Sequence, residues 1–235
     1  VPEVSREPAL SVVAPDGQTR AVALVLHGGR ERGTRPVRPT HLAVLRMTPF
    51  ATSLLRAGLP HGLAVARVRY LMRGWNGPAR SPVPDVEWAL HRLRERFGAV
   101  PVALIGHSMG GRAAVYAAGD PSVRAVVGLA PWLEKDDPAE PAADRHVLVV
   151  HGDRDRITSA RSAAAWTRRA AEVAASAGYV SVHGEGHAML RRPRLWHALT
   201  TAYTLAVLCD VDPARSGAAA SVVTQVLAGD ASLVV

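Results

Sequence analysis

Three side chains in this sequence have the types and order needed for nucleophilic catalysis: Ser108, Asp155 and His187. Ser108 lies in Gly106-His107-Ser108-Met109-Gly110, directly behind the apolar run Val102-Ala103-Leu104-Ile105. A strand that breaks at glycine, presents one serine and enters a helix needs small residues on either side, because the turn is sharp. A serine hydroxyl is a weak nucleophile at neutral pH and needs an imidazole to take its proton. That imidazole needs a carboxylate to orient it and to stabilise its charged form. Asp155 follows the apolar run His146–Val150, in His151-Gly152-Asp153-Arg154-Asp155. His187 follows the run Tyr179–His183, in Gly184-Glu185-Gly186-His187-Ala188-Met189.

Each assignment has a rival. Asp153 competes with Asp155, and the Gly152-x-x-Asp155 spacing favours the latter, leaving Asp153 to brace the turn. His183 competes with His187, but it falls inside the expected strand, whereas His187 sits in a glycine-flanked loop. His107 is expected to shape the serine turn, and His27 and His151, which occupy equivalent strand ends, are expected to be structural.

Other chemistries fit less well. His183-Gly184-Glu185-Gly186-His187 has the look of a metal motif, but its two glycines oppose the helix on which a zinc-binding His-Glu-x-x-His works. Gly106 to Gly111 is spaced like a phosphate-binding loop, yet Arg112-Ala113 stands where Lys-Ser/Thr is required. The first strand–helix turn carries no dinucleotide-binding glycine fingerprint. No cofactor is expected.

The elements that must position these residues are legible as alternation. Short apolar runs alternate with helix-length amphipathic segments, which argues for a mostly parallel sheet with helices on both faces. Residues 9–14 and 20–26 flank Pro15-Asp16-Gly17 and read as an opening hairpin. A helix is expected over 40–57, interrupted near Pro49, then a strand over 63–68 and an irregular loop to Pro82. Val86, Leu90, Leu93 and Phe97 mark one face of a helix over 84–97. Strands are expected over 102–105, 123–130, 146–150 and 179–183, and helices over 109–119, 158–176 and 195–208. Only about a dozen residues separate Trp132 from His146, too few for a helical lid. Beyond Asp212-Pro213, residues 222, 223, 226 and 227 form a short apolar face that could dock on the body, mediate self-association or stay unstructured.

At 235 residues with 48% hydrophobic and 20% charged side chains, one domain spanning 1–235 is expected, with its core over about 9–209 and residues 210–235 as an extension. The net charge of +8 rests almost wholly on scattered arginines, since Lys135 is the only lysine, and no basic tract with interleaved aromatics points to nucleic acid. Cys209 is the sole cysteine, so no intrachain disulfide is possible. No apolar stretch reaches the roughly 20 residues of a membrane span. Val1 to Arg6 shows neither a basic leader nor an apolar h-region, so the expected location is cytoplasmic, with an earlier-removed leader left open.

With these pieces in order, the chain resembles the α/β-hydrolase superfamily. The resemblance rests on His27-Gly28-Gly29 after the first central strand, Gly-His-Ser-Met-Gly-Gly at the serine, Gly152-x-x-Asp155, and Gly186-His187, spread over about residues 9 to 209. It implies a single-domain α/β-hydrolase fold with little or no cap. It also implies a metal-free serine hydrolase in which Ser108, Asp155 and His187 form the triad. The N–H groups of Gly29 and Met109 would form the oxyanion hole, with Arg30 the near alternative to Gly29. Ser108 departs from the cysteine usual in dienelactone hydrolases, and from the aspartate of haloalkane dehalogenases and epoxide hydrolases. The implied partner is a small-molecule ester, thioester or lactone. Acyl transfer, cyclisation, a lyase reaction or non-catalytic binding on the same scaffold are the alternatives. Arg30, Trp75, Trp132 and Met189 are the candidate pocket residues, with Tyr70 and Met72 in the same loop as Trp75. Arg73 and Arg112 are candidates to orient a substrate carboxylate.

Overall fold

The computed structural model describes residues 7–229 and 232–235. The reading of Val1 to Arg6 given above lies outside the described residues. Eight strands form one sheet in the order β1-β3-β2-β4-β5-β6-β7-β8. They are β1 (Ala9–Val13), β2 (Ala21–Leu26), β3 (Leu63–Arg69), β4 (Val102–His107), β5 (Val123–Leu129), β6 (His146–Gly152), β7 (Ser176–Val182) and β8 (Ser232–Val234). Every pairing is parallel except that of β1 with β3.

The central strands are apolar throughout because both of their faces are covered. In β2 the alternation is explicit: Val22, Leu24 and Leu26 enter one core, Ala21, Ala23 and Val25 the other. The first core lies under α3 (Pro82–Phe97), α4 (Met109–Ala117) and α5 (Ala160–Ala170). The second lies under α2 (Thr48–Gly58), α6 (Pro193–Cys209) and α7 (Ala220–Leu227), with the short α1 (Leu42–Arg46) leading into α2 at Met47. The break falls at Met47, two residues before Pro49, which takes the second helical position, where a missing N–H costs nothing.

Three expectations need correction. The opening hairpin does not form: β1 pairs antiparallel with β3, Ala9 opposite Arg69, and the Pro15-Asp16-Gly17 turn carries the chain across to β2 beyond it. The half-exposed β1 belongs at an edge, whereas the fully buried β2 needs a parallel neighbour on each side. The helix read over 158–176 is only Ala160–Ala170, capped by Ser159, whose Oγ accepts from the Ser162 N–H at 3.0 Å. Its alanine-rich tail instead turns into β7, which starts at Ser176, three residues earlier than expected. Helix propensity there yields to parallel pairing with His146–Leu148.

The C-terminal segment docks on the body. Val222, Val223 and Val226 of α7 are buried, and a Cβ on Gly178 would lie 2.7 Å from Val226, so β7 needs glycine at that crossing. β8 then extends the sheet beside β7. Between β5 and β6 the described residues hold a 3-10 turn at Glu140–Ala142 and no α-helix, consistent with the absence of a cap. No helix of the described residues is long and apolar enough to cross a membrane.

Candidate functional site

The parallel strands deliver their C-terminal ends to one edge, where open α/β sheets collect their functional groups. Ser108 occupies the single residue between β4 and α4, with φ 56° and ψ −120°. A side chain in so sparsely populated a backbone region costs about 1–3 kcal/mol, and the surroundings hold it there. Its N–H donates to Leu129 O at 3.0 Å, and its carbonyl accepts from Gly111, Arg112 and Trp132 N–H at 3.0, 3.2 and 3.1 Å. The neighbouring glycines are required by close approach. A Cβ at Gly106 would lie 2.2 Å from Gly110 O, and one at Gly110 would lie 2.6 Å from the carbonyls of Leu26 and His27.

Asp155 and His187 meet across two loops that are stitched together. Gly152 leaves room for the Glu185 carbonyl, which accepts from Arg154 N–H at 2.9 Å. The buried Glu185 carboxylate accepts from Trp196 Nε1–H and Arg191 N–H, both at 3.0 Å, which fastens the His187 loop to the start of α6. His187 Nδ1 then lies 2.8 Å from Asp155 Oδ2. The Asp155 side chain is fully buried and also accepts from His151 Nε2 (3.1 Å), Thr158 Oγ1 (2.8 Å), Ile157 N–H (2.8 Å) and Thr158 N–H (3.1 Å). Burial alone would raise its pKa, but the hydrogen bonds from His151, His187 and the two N–H groups outweigh it and hold the carboxyl well below the usual range. A carboxylate only accepts, so the His187 proton facing it resides on Nδ1, which leaves Nε2 as the free lone pair. Ser108 Oγ makes no hydrogen bond to that imidazole among the described residues. In unliganded sites this contact is commonly loose and tightens around substrate.

His107 braces His187. Its ring centroid lies 4.7 Å from that of His187, and its Nε2–H donates to the His187 carbonyl at 3.0 Å. Burial, helped by the nearby His187, depresses the His107 pKa to about 3, so it stays neutral.

On the other side of Ser108, His27 Nδ1–H donates to Gly28 O at 2.6 Å, and its Nε2 accepts from Tyr70 N–H at 3.3 Å. Burial lowers the His27 pKa to about 4, which keeps this one-donor, one-acceptor form. A planar trans peptide points its C=O and N–H in opposite directions. Tying down the Gly28 carbonyl therefore turns the Gly29 N–H away from the His27 ring. The Arg30 N–H is committed to Arg73 O at 2.9 Å, which separates it from Gly29 as a donor. A Cβ on Gly29 would lie 2.2 Å from Met109 Cε and 2.5 Å from Arg73 O. The Met109 N–H, at the first position of α4, is one that the helix itself leaves unpaired.

The remaining candidates separate. Asp153 braces the turn as expected, accepting from Gly184 N–H at 2.7 Å and pairing with His183, which is exposed just beyond β7 rather than inside it. His183, Glu185 and His187 thus face three different partners. His151 is more than a strand-end brace, because it donates to Asp155. Arg112 is committed: its guanidinium meets Asp137 (2.7 and 3.0 Å) and Glu134 (2.8 Å), between the rings of Trp75 and Trp132 at 4.5 and 4.6 Å. Trp75, Trp132 and Arg112 line a cavity of about 350 Å³. Arg30 lines another of about 250 Å³ beside Gly28 and Gly29. Met189 is buried in the α6-side core and lines neither. Sequence reasoning missed Thr158 and His41. The first was signalled by its place three residues beyond Asp155, where a side-chain carboxylate accepts local N–H groups; the second carried no signal.

A family model described as alpha/beta hydrolase fold matches residues 73–146. No curated protein matches the chain. Among solved structures, an α/β serine hydrolase without a lid from Xanthomonas campestris shares 17% identity at a TM-score of 0.59, with 82% of this chain and 86% of that one covered. An alpha-beta serine hydrolase homologue from Coxiella burnetii gives 18%, 0.59, 83% and 90%. Est1E from Butyrivibrio proteoclasticus, with ferulic acid bound, gives 13%, 0.65, 85% and 95%. The chain has the α/β-hydrolase fold.

Proposed function

We propose that the protein is a serine hydrolase that cleaves a small carboxylic ester, thioester or lactone through an acyl-enzyme. The observation that carries this reading is the contact of the buried Asp155 carboxylate with His187, 2.8 Å apart, at the same sheet edge as the constrained Ser108 turn. His187 Nε2 takes the hydroxyl proton as Ser108 Oγ attacks the acyl carbon. Asp155 stabilises the imidazolium without being protonated itself, a role suited to a carboxyl whose pKa is held so low. The negative charge on the former carbonyl oxygen is met by the N–H groups of Gly29 and Met109, each worth about 3–4 kcal/mol in such sites. His187 passes the proton to the leaving group, and a water activated by the same ring releases the acid. The uncapped edge admits that water and favours a small substrate over a long lipid chain.

Stopped-flow hydrolysis of p-nitrophenyl butanoate tests the reading. The expected result is a burst of one nitrophenolate per chain, with a butanoyl adduct on the peptide containing Ser108 and neither in Ser108→Ala. Turnover that persists in Ser108→Ala would contradict it.

A further inference from the structure

The cavity of about 250 Å³ beside the Gly28-Gly29 loop is lined by His27, Arg30, His41 and Arg73 among others, and its lining holds no acidic side chain. A Cβ on Gly28 would lie 3.4 Å from Ser108 Cβ, so the cavity adjoins the serine. Its polar atoms are mismatched. His41 Nδ1 accepts from Arg38 N–H at 3.1 Å, which puts the ring proton of a neutral His41 on Nε2. That Nε2 meets Nη2 of Arg73, donor against donor. Arg73 Nε is buried without a hydrogen-bond partner. Neither Arg30 nor Arg73 is ion-paired among the described residues. Desolvation, then the charges of Arg73, Arg38 and Arg30, lower the pKa of His41, as an uncompensated positive field should. Arg112, by contrast, already has its carboxylates.

We infer that this cavity binds a carboxylate carried by the substrate itself, so the preferred substrate is an ester, thioester or lactone with a second, anionic end. The inference rests on the serine-hydrolase reading for the word substrate. The cavity's demand for an anion stands on its own donors. A carboxylate has the paired acceptor oxygens that a guanidinium edge and an imidazole N–H lack here.

The test compares p-nitrophenyl hydrogen glutarate with neutral p-nitrophenyl pentanoate. The carboxylate ester is expected to show a kcat/KM about tenfold higher, expressed in KM and shrinking as salt is added. In Arg73→Gln, and again in Arg30→Gln, the ratio of the two esters falls towards one. Separately, free glutarate is expected to raise the melting temperature of the wild-type protein where glutaramide does not. No preference in the wild type, or a preference that both variants keep, overturns the inference while leaving the hydrolase reading intact. If neither ester turns over, the hydrolase reading fails alone when glutarate still stabilises the protein, and the anion site fails with it when glutarate does not.

Discussion

Where β6 and β7 end, Asp155 is saturated by His151, Ile157, Thr158 and His187, whereas where β2 and β3 end, Arg73 and His41 turn donors towards each other. The two regions flank the same serine, and they solve opposite problems. On the first side every lone pair of the carboxylate is occupied and the imidazole has one orientation, which suits the proton transfer proposed for it. On the second side the cationic donors have no negative charge to meet until the proposed anion arrives, so donors outnumber acceptors. A site that binds or generates an anion has this asymmetry built in before the anion is there.

Breaking the saturated side has the largest expected effect. Asp155→Asn keeps the shape but cannot hold the charged imidazole or fix its tautomer, and kcat on p-nitrophenyl butanoate is expected to fall by about 10⁴-fold. A loss of less than tenfold, measured with the purified folded variant, would remove Asp155 from the chemistry. The Arg73 comparison on the donor side comes second, at about tenfold in substrate preference.

The smallest effect concerns the anchoring of the donor side. Asp85 of α3 accepts from Leu71 N–H at 2.8 Å and so pins the loop that carries Arg73 and Trp75. Burial pushes its pKa up from 3.8 to about 6, against the opposing pull of that hydrogen bond. A carboxyl with a raised folded-state pKa contributes stability that is fully present below pH 3.8 and lost as pH rises through about 6. At neutral pH the buried charge therefore costs about 2–3 kcal/mol. Asp85→Asn keeps an acceptor for Leu71 without the charge. It is expected to gain stability at pH 7.5 relative to wild type and to gain little near pH 4, as read by urea unfolding at both values. Destabilisation that is larger at pH 7.5 than near pH 4 would show instead that the carboxylate itself is needed.

Much of this arrangement was legible in the sequence because it depends on local features. The apolar runs of β2, β4, β5 and β6 are long enough to mark buried parallel strands, and the glycines around Ser108 mark a turn too tight for side chains. Asp155 and His187 stand out because each follows a strand. What stayed hidden depends on pairing at a distance. Nothing in Ala9–Val13 says that its partner is β3 rather than β2. The alanines after Ala170 look helical until β6 captures the segment that follows as a strand. On the donor side Arg30 and Arg73 were already candidates, but the meeting of His41 with Arg73 was unreadable for the same reason: the two lie 32 residues apart and belong to no common motif. Arg112 and Arg73 looked alike in sequence, and only the fold shows that Asp137 and Glu134 occupy the first.

The central claim is that Ser108 is activated by the His187–Asp155 pair, and intact mass after fluorophosphonate treatment tests it most directly. One covalent adduct on the native chain, absent in Ser108→Ala and formed far more slowly in Asp155→Asn, is the result the account predicts. A folded native chain that takes up no adduct, or a Ser108→Ala chain that labels as readily, would contradict it.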